Sequence, residues 1–361
     1  MSIMAAQRMG LRCLSLDPTE GPPAAQIAPA MHGALDDPEA VAQLLRSCAR
    51  VTLENEFIPA AVILAALELA GRDPSAILPG VETLATIQDK LLQRETYEAH
   101  GVPSPDAVEL SGDGSMAIAK IGFPMVLKAR FGGYDGKGTR YAKTPDDLEN
   151  FRGLWENGGW LAEAFVPFKR ELAVMVCRSP HETHAFPTME TLQTDHVCDI
   201  VFPADVDASE VAIAAVEAVE GFGLFGVELF ELPDGSFQVN EMAPRPHNTG
   251  HYSLDWGGIS QFEAHVRLVL GMPIEPPGGM PTCMVNLLGQ PGAGDYRFGL
   301  TAASADPSVR VHWYGKAEAK PGRKMGHINV AGRDYVERAK KARVRFYQAW
   351  TTATQVPTET G

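Results

Sequence analysis

The sequence has 361 residues, enough for two or three domains with a substantial buried core. It is 45% hydrophobic and 21% charged, an ordinary globular mixture. The net charge of -14 and pI near 5.2 argue against nonspecific nucleic-acid binding, which needs Lys and Arg to neutralise phosphates. A nucleotide substrate stays open, since a few local cations can hold one in an acidic protein.

No apolar run approaches the ~20 residues that span a membrane, and no charged region followed by an apolar stretch opens the chain. Cys13, Cys48, Cys177, Cys198 and Cys283 are widely spaced with no CxxC pair, so neither a zinc knuckle nor a disulfide framework is indicated. A reducing cytoplasm is the natural setting.

In chain order, Ser2–Met9 reads as a helix, Leu11–Leu16 as a strand ended by Asp17-Pro18, and Val41–Cys48 as a helix. Val51–Phe57 reads as a strand carrying Glu54 and Glu56, and Pro59–Ala70 as a helix. This alternation predicts a parallel α/β layer. Such a layer normally opens on a strand; here it opens on a helix, so its first strand is expected to be missing. A helix from Thr86 to about His100 leads into a second unit with strands at Met125–Ala129, Gly159–Phe165, Glu171–Val176 and His184–Pro187. Val211–Gly221 reads as a helix, Gly226–Leu232 and Ser236–Glu241 as a hairpin about Pro233-Asp234-Gly235, and Ser260–Leu270 as an amphipathic helix closed by Gly271. A Pro/Gly-rich linker, 271–281, introduces a small β-rich unit, then a basic helix Asp334–Trp350 and a polar tail. The divisions expected are 1–85, 86–272 (with a glycine-rich lid), 273–350 and a disordered 351–361.

Four strings carry chemistry. Lys128 precedes a loop, 131–139, in which Gly132, Gly133, Gly136 and Gly138 let the backbone bend over a ligand and aim N–H groups at phosphate oxygens. It lacks the GK[ST] of a Walker A loop, and alone could be a hairpin turn; Lys128 on the preceding strand favours a phosphate clamp. Glu228 and Glu241 are carboxylates in otherwise apolar strands, where an unpaired charge is costly. With Asn240 beside them they suit Mg²⁺, a hard cation that takes oxygen ligands and substrate phosphates; structural salt bridges are the alternative. Pro244-Arg245-Pro246-His247-Asn248 follows at once, a rigid donor-rich loop fit to hold an anion. His312–Lys316 and Lys320–His327 gather cations among Gly and Pro, as in a phosphate-binding turn or a solvated basic loop.

Together the strings GGYDGKG, VNEMAPRPHNTGH and WYGKAEAKPGRKMGHINV resemble the 5-(carboxyamino)imidazole ribonucleotide synthetase family of ATP-grasp ligases, over almost the whole chain and in the family's order. The resemblance implies an ATP-grasp fold of α/β and α+β type, with an N-terminal parallel-sheet domain and a small C-terminal β-rich domain. The activity it implies is carboxylation of 5-aminoimidazole ribonucleotide by bicarbonate and ATP in purine biosynthesis. Lys90 and Lys128 would face the phosphates under a lid of Gly133, Tyr134, Asp135, Gly136, Lys137, Gly138 and Thr139. Glu163, Ala164, Phe165 and Val166 would line the adenine pocket and Glu171 the ribose; Gln193 stands where the family has a histidine. Glu228 and Glu241 would hold Mg²⁺, with Asn240 at the nucleotide. Arg245 and His247 would act at bicarbonate or carboxyphosphate, with Asn248 alongside. Lys316, Arg323 and Lys324 would take the substrate's 5′-phosphate, with Glu54 near that nucleotide. The family also implies a homodimer, coupling to a following mutase, and a strand with a GGGQLGRM-like loop ahead of the first helix that is not in this sequence. Two alternatives remain: another ATP-grasp carboxylase or formate-using ligase, and a non-catalytic nucleotide-binding protein.

Overall fold

The computed structural model describes residues 1–133, 138–291 and 294–352. The first part holds α1 (Ser2–Arg8), β1 (Ser15–Asp17), β2 (Ala30–His32), α2 (Pro38–Ser47), β3 (Val51–Thr52), α3 (Ala60–Ala70), β4 (Ile77–Leu78) and α4 (Val81–Gln88). Its strands form two separate two-stranded parallel sheets, β1-β2 and β3-β4, rather than one layer. Helix ends follow local chemistry: the Asp37 carboxylate accepts from Glu39 N–H to start α2, and Gly71, at φ 63°, closes α3 in the left-handed conformation. The core here is Leu45, Ile63, Ala66, Leu67, Ile77 and Leu84.

Further expectations fail in this part. The strand expected over Leu11–Leu16 is only Ser15–Asp17, so Asp17 belongs to it rather than ending it. Val51–Phe57 is not a seven-residue strand: pairing with β4 ends at Thr52, which places Glu54 and Glu56 on the loop beyond. The helix expected from Thr86 to His100 is two helices, because the Asp89 side chain accepts from the N–H groups of Leu91 and Leu92 and starts α5 (Lys90–Ala99) afresh.

Next come β5 (Ala107–Glu109), α6 (Ser115–Lys120), β6 (Met125–Ala129), β7 (Thr139–Ala142), α7 (Pro145–Asn150) and β8 (Trp160–Ala164). The strands make a four-stranded antiparallel sheet, β5-β8-β6-β7, around Leu110, Met125, Leu127, Leu148 and Trp155. Thr144 and Asp147 form a capping box on α7.

A larger sheet follows: β9 (Arg170–Arg178), β10 (Thr183–Ala185), β11 (Met189–Thr194), β12 (Val197–Pro203), α8 (Ser209–Ala218), β13 (Gly223–Glu231), β14 (Phe237–Ala243), α9 (Gln261–Val269), β15 (Thr282–Leu288), α10 (Tyr296–Ala303), β16 (Arg310–Trp313), β17 (Lys324–Ala331) and α11 (Tyr335–Thr352). Its order is β14-β13-β9-β11-β12-β15-β17-β16, with β10 on β9. The β13–β14 hairpin is as expected, with Gly235 at φ 86° in its turn. The small β-rich unit is not a separate sheet: β12 pairs with β15 through Ile200↔Val285 and Val201↔Met284, so it covers an edge that would otherwise be open. α11 backs that end with Phe346 and Trp350. The expected tail, apart from Thr351 and Thr352 at the end of α11, lies outside the described residues. The five cysteines are all free, and no helix among the described residues is long and apolar enough to cross a membrane.

Candidate functional site

The two larger sheets face each other across a cleft of about 1120 Å³. Lys128, Thr139, Glu163, Ala164, Phe165 and Val166 line it from the smaller sheet. Glu171, Gln193, Glu228, Asn240 and Glu241 line it from the larger one. Glu54 and Glu56 reach it from the first part, Arg245, His247 and Asn248 from the loop after β14, and Lys316 and Lys324 from the C-terminal strands. Residues more than 260 positions apart in sequence thus share one cavity.

Both lysines expected at the phosphates are held by carboxylates. Lys90, the first residue of α5, pairs with Glu241 at 2.5 Å. Lys128 pairs with Glu163 at 2.6 Å and approaches Asn240 Oδ1 at 3.5 Å. Glu163 is only 2% exposed, and its other oxygen accepts from Arg94 Nε at 2.9 Å. Burial alone would raise this carboxyl; the charges and hydrogen bonds of Arg94 and Lys128 instead pull it down to about 2. The Glu163 side chain is therefore committed to a buried triad. Arg94 donates further to the carbonyls of Val239 and Asn240, tying α5 to the strand that carries Glu241.

The same device sets the base of the glycine-rich loop. Arg130 pairs with Asp89, the cap of α5, and its carbonyl accepts from Lys90 N–H at 3.0 Å. Gly138, at φ 79°, bonds back to Ala129, and Thr139 pairs with Lys128. Gly133 belongs to the described part of this loop; Tyr134, Asp135, Gly136 and Lys137 lie outside the described residues.

Glu228 and Glu241 are cross-strand partners, next to a bulge between Glu228 and Leu229. Burial, then the nearby Glu241 and Glu171, pushes Glu228 up to about 8. Burial would raise Glu241 as well, but Lys90, Lys128 and Arg94 hold it below the usual carboxylate range. Its side chain is 44% exposed, to the cleft. Two oxygen-rich, mutually repelling carboxylates fit a hard cation. No group of three or more His, Cys, Asp or Glu among the described residues could hold a metal alone, so phosphate oxygens would complete the shell.

Glu171 is raised by burial and partly relieved by a hydrogen bond with Gln193, which lies just past a register shift in β11. Phe168 stacks on Phe230 at 4.6 Å between ring centres, beside Phe165 on the cleft wall.

The loop after β14 is tied on three sides. Arg245 forms a bidentate pair with Glu56. His247 Nδ1 lies 2.9 Å from Thr249 Oγ1, and its Nε2 lies 3.9 Å from Glu228. Burial, then Arg245 and Lys324, hold this imidazole well below its usual range and so neutral. Asn248 exchanges two hydrogen bonds with the buried Asn286 of β15.

Of the basic C-terminal residues, Lys316 and Lys324 reach the cleft. Arg323 does not line it: it is exposed and donates to the Glu318 carbonyl. Lys316 donates to the Lys324 carbonyl at 2.7 Å, and burial, then Arg323 and Lys324, lower it to about 8. Arg94, Arg130, Asn286 and Gln261 support the site without belonging to any of the four strings' expected roles. A lone Asn in the apolar run TCMVNLL was a usable signal for Asn286; the other three sit where a solvated residue would look the same.

Two antiparallel β-bearing lobes about a lysine- and carboxylate-lined cleft, with a glycine-rich β6–β7 connection beside it, define the ATP-grasp class. Residues 95–262 match the ATP-grasp domain family, 1–88 the ribonucleotide synthetase preATP-grasp domain, and 282–341 the phosphoribosylaminoimidazole carboxylase C-terminal domain. An N5-carboxyaminoimidazole ribonucleotide synthase of Synechococcus elongatus is 37% identical, the alignment covering 95% of this chain and 90% of that protein. The crystal structure of N5-carboxyaminoimidazole synthetase from Staphylococcus aureus complexed with ADP superposes with a TM-score of 0.85 at 31% identity, covering 96% of this chain and 93% of that one. The Aspergillus clavatus synthase in complex with ADP and 5-aminoimidazole ribonucleotide gives 0.83 at 31% identity, covering 96% and 95%. The chain belongs to the N5-carboxyaminoimidazole ribonucleotide synthase family.

Proposed function

We propose that the chain uses ATP to carboxylate 5-aminoimidazole ribonucleotide with bicarbonate, releasing ADP and phosphate. One observation carries the reading: a single cavity joins the lysine–carboxylate cluster to Lys316 and Lys324. A nucleoside triphosphate and a second phosphorylated substrate can therefore meet at Glu228, His247 and Asn248. The A. clavatus structure, which holds ADP and that nucleotide together, supports the same pairing.

Bicarbonate is a poor electrophile. Transfer of the γ-phosphoryl group to one of its oxygens gives carboxyphosphate and ADP. Lys90 and Lys128 lie where they would offset charge building on the transferring group. Mg²⁺ between Glu228 and Glu241 would supply further neutralisation of the phosphate oxygens. The exocyclic amine then attacks the carboxyl carbon, or CO₂ released from it in the closed site. A C–N bond forms, the C–O bond to phosphate breaks, and the nitrogen gives up a proton. Arg245, His247 and Asn248 would orient the acyl group, Lys316 and Lys324 the ribonucleotide phosphate, and Glu54 that nucleotide. Thr139 and Gly138, with Gly133 across from them, would anchor a lid that excludes water from the intermediate. Phe165 and the main chain of 163–166 would meet adenine, and Glu171, steadied by Gln193, the ribose.

Divisions at 1–85, 86–272 and 273–350 are part of this proposal, as are a homodimer and coupling to a mutase, which rest on resemblance alone, and a cytoplasmic setting, which rests on the five free cysteines. ADP release is the test. It is expected to require both bicarbonate and the ribonucleotide; formate replacing bicarbonate, or ATP binding without substrate-dependent turnover, would overturn the reading.

A further inference from the structure

The loop 244–251 presents Arg245, His247 and Asn248 to the cleft, and each is held from a different element. Glu56 holds Arg245 and Asn286 holds Asn248, in both cases through the side chain. His247 is held through its main chain. Gln261, the first residue of α9 and fully buried, accepts from His247 N–H at 2.9 Å through Oε1 and donates to His247 C=O at 2.8 Å through Nε2.

A side-chain amide carries a donor and an acceptor side by side and can copy the pairing of an adjacent strand; a carboxylate or an apolar side chain cannot. That pairing fixes which way the amide points. The contact of Nε2 with His251 Nδ1 at 2.8 Å therefore makes Nδ1 an acceptor and leaves the His251 proton on its other nitrogen.

The surroundings are shaped to this clamp. A Cβ on Gly250 would lie 2.6 Å from Gln261 Oε1, and one on Gly226 would lie 2.5 Å from the His247 Cβ. His247 is thus wedged between β13 and Gln261, its Nδ1 against Thr249 and its Nε2 3.9 Å from Glu228. A space-filling role alone would be met by an apolar side chain, which would take from the His247 N–H and from His251 Nδ1 the partner that Gln261 gives them.

We propose that Gln261 is a positioning residue for the carboxyl-transfer half of the reaction, setting His247 toward Glu228 and the cleft so that ATP cleavage stays coupled to carboxylation. This rests on the function proposed above. Lys90, Lys128 and the adenine wall are not held by Gln261, so nucleotide binding is independent of it.

The test measures ADP and carboxylated product together in wild type, Gln261→Leu, Gln261→Glu and Gly250→Ala. Gln261→Glu keeps one acceptor and sets a second oxygen against the His247 carbonyl; Gly250→Ala displaces the amide while leaving residue 261 a glutamine. In all three variants the KM for ATP is expected to stay within about twofold, while product formation falls about 10- to 100-fold. ADP released per product is expected to rise from about one to about ten. A ratio that stays at the wild-type value in the variants, with kcat unchanged or with kcat, ATP affinity and melting temperature falling together, overturns this inference alone. A wild-type chain whose ADP release depends on neither bicarbonate nor the ribonucleotide overturns the proposed function and this inference with it.

Discussion

Replacing Glu163 by glutamine preserves shape and removes one charge from the Arg94–Glu163–Lys128 triad. The carboxylate and the Arg94 guanidinium have side chains 3% and 4% exposed, so the variant leaves two cations buried without their shared counter-ion. Breaking a buried pair from one side costs about 3–5 kcal/mol. The acidity of Glu163 gives a concordant figure: a fall from 4.5 to about 2 corresponds to about 3 kcal/mol at ~1.4 kcal/mol per pH unit. The group is more acidic in the folded state, so its contribution is complete above pH 4.5 and is lost as pH falls toward 2. Denaturant unfolding at pH 7 is expected to show Glu163→Gln less stable by about 3 kcal/mol, the gap narrowing as acid protonates the wild-type carboxyl. Lys128 is already lowered by burial, with Glu163 the main force restoring it. In the variant it should deprotonate at lower pH, and ATP affinity measured by calorimetry should weaken as pH rises, before that of wild type does. Equal stability and an unchanged pH profile for ATP binding would refute this account of the triad.

Other outcomes follow from the same geometry. Lys316, lowered to about 8, holds its charge below that pH and loses it above, so the KM for the ribonucleotide should climb from about pH 8; in Lys316→Arg the climb should disappear. Asn286→Leu removes both hydrogen bonds to Asn248 and should lower kcat about tenfold or more with little change in the KM for ATP. Gly226→Ala sets a methyl 2.5 Å from the His247 Cβ; kinetics should show carboxylation lost well before ATP binding.

Most residues of the four strings come together at one cleft, and each string was legible because its strand, turn and carboxylate lie within a few positions of one another. The β13–β14 hairpin, with Glu228 and Glu241 facing across it, is legible from alternation and the Pro-Asp-Gly turn. What escaped is held by distant partners. Arg94 reads as a solvated helix residue until Glu163, 69 positions on, comes to meet it. Gln261 looks like an ordinary first-turn polar residue, and its role depends on a loop fourteen positions earlier. Arg323 has the right neighbours in sequence, but its backbone turn sends it to solvent while Lys316 and Lys324 face the cleft. Asp89 shows a different limit: a single capping carboxylate divides a helix whose hydrophobic period runs on unbroken.

In the mechanism proposed for this chain, ATP phosphorylates bicarbonate before the amine is carboxylated. Turnover with bicarbonate labelled in all its oxygens by ¹⁸O tests it directly, with the released phosphate read by mass spectrometry. One labelled oxygen is expected in each phosphate formed, since cleavage of the C–O bond of carboxyphosphate leaves that oxygen on phosphorus. Phosphate free of label, released in step with carboxylated nucleotide, would contradict it.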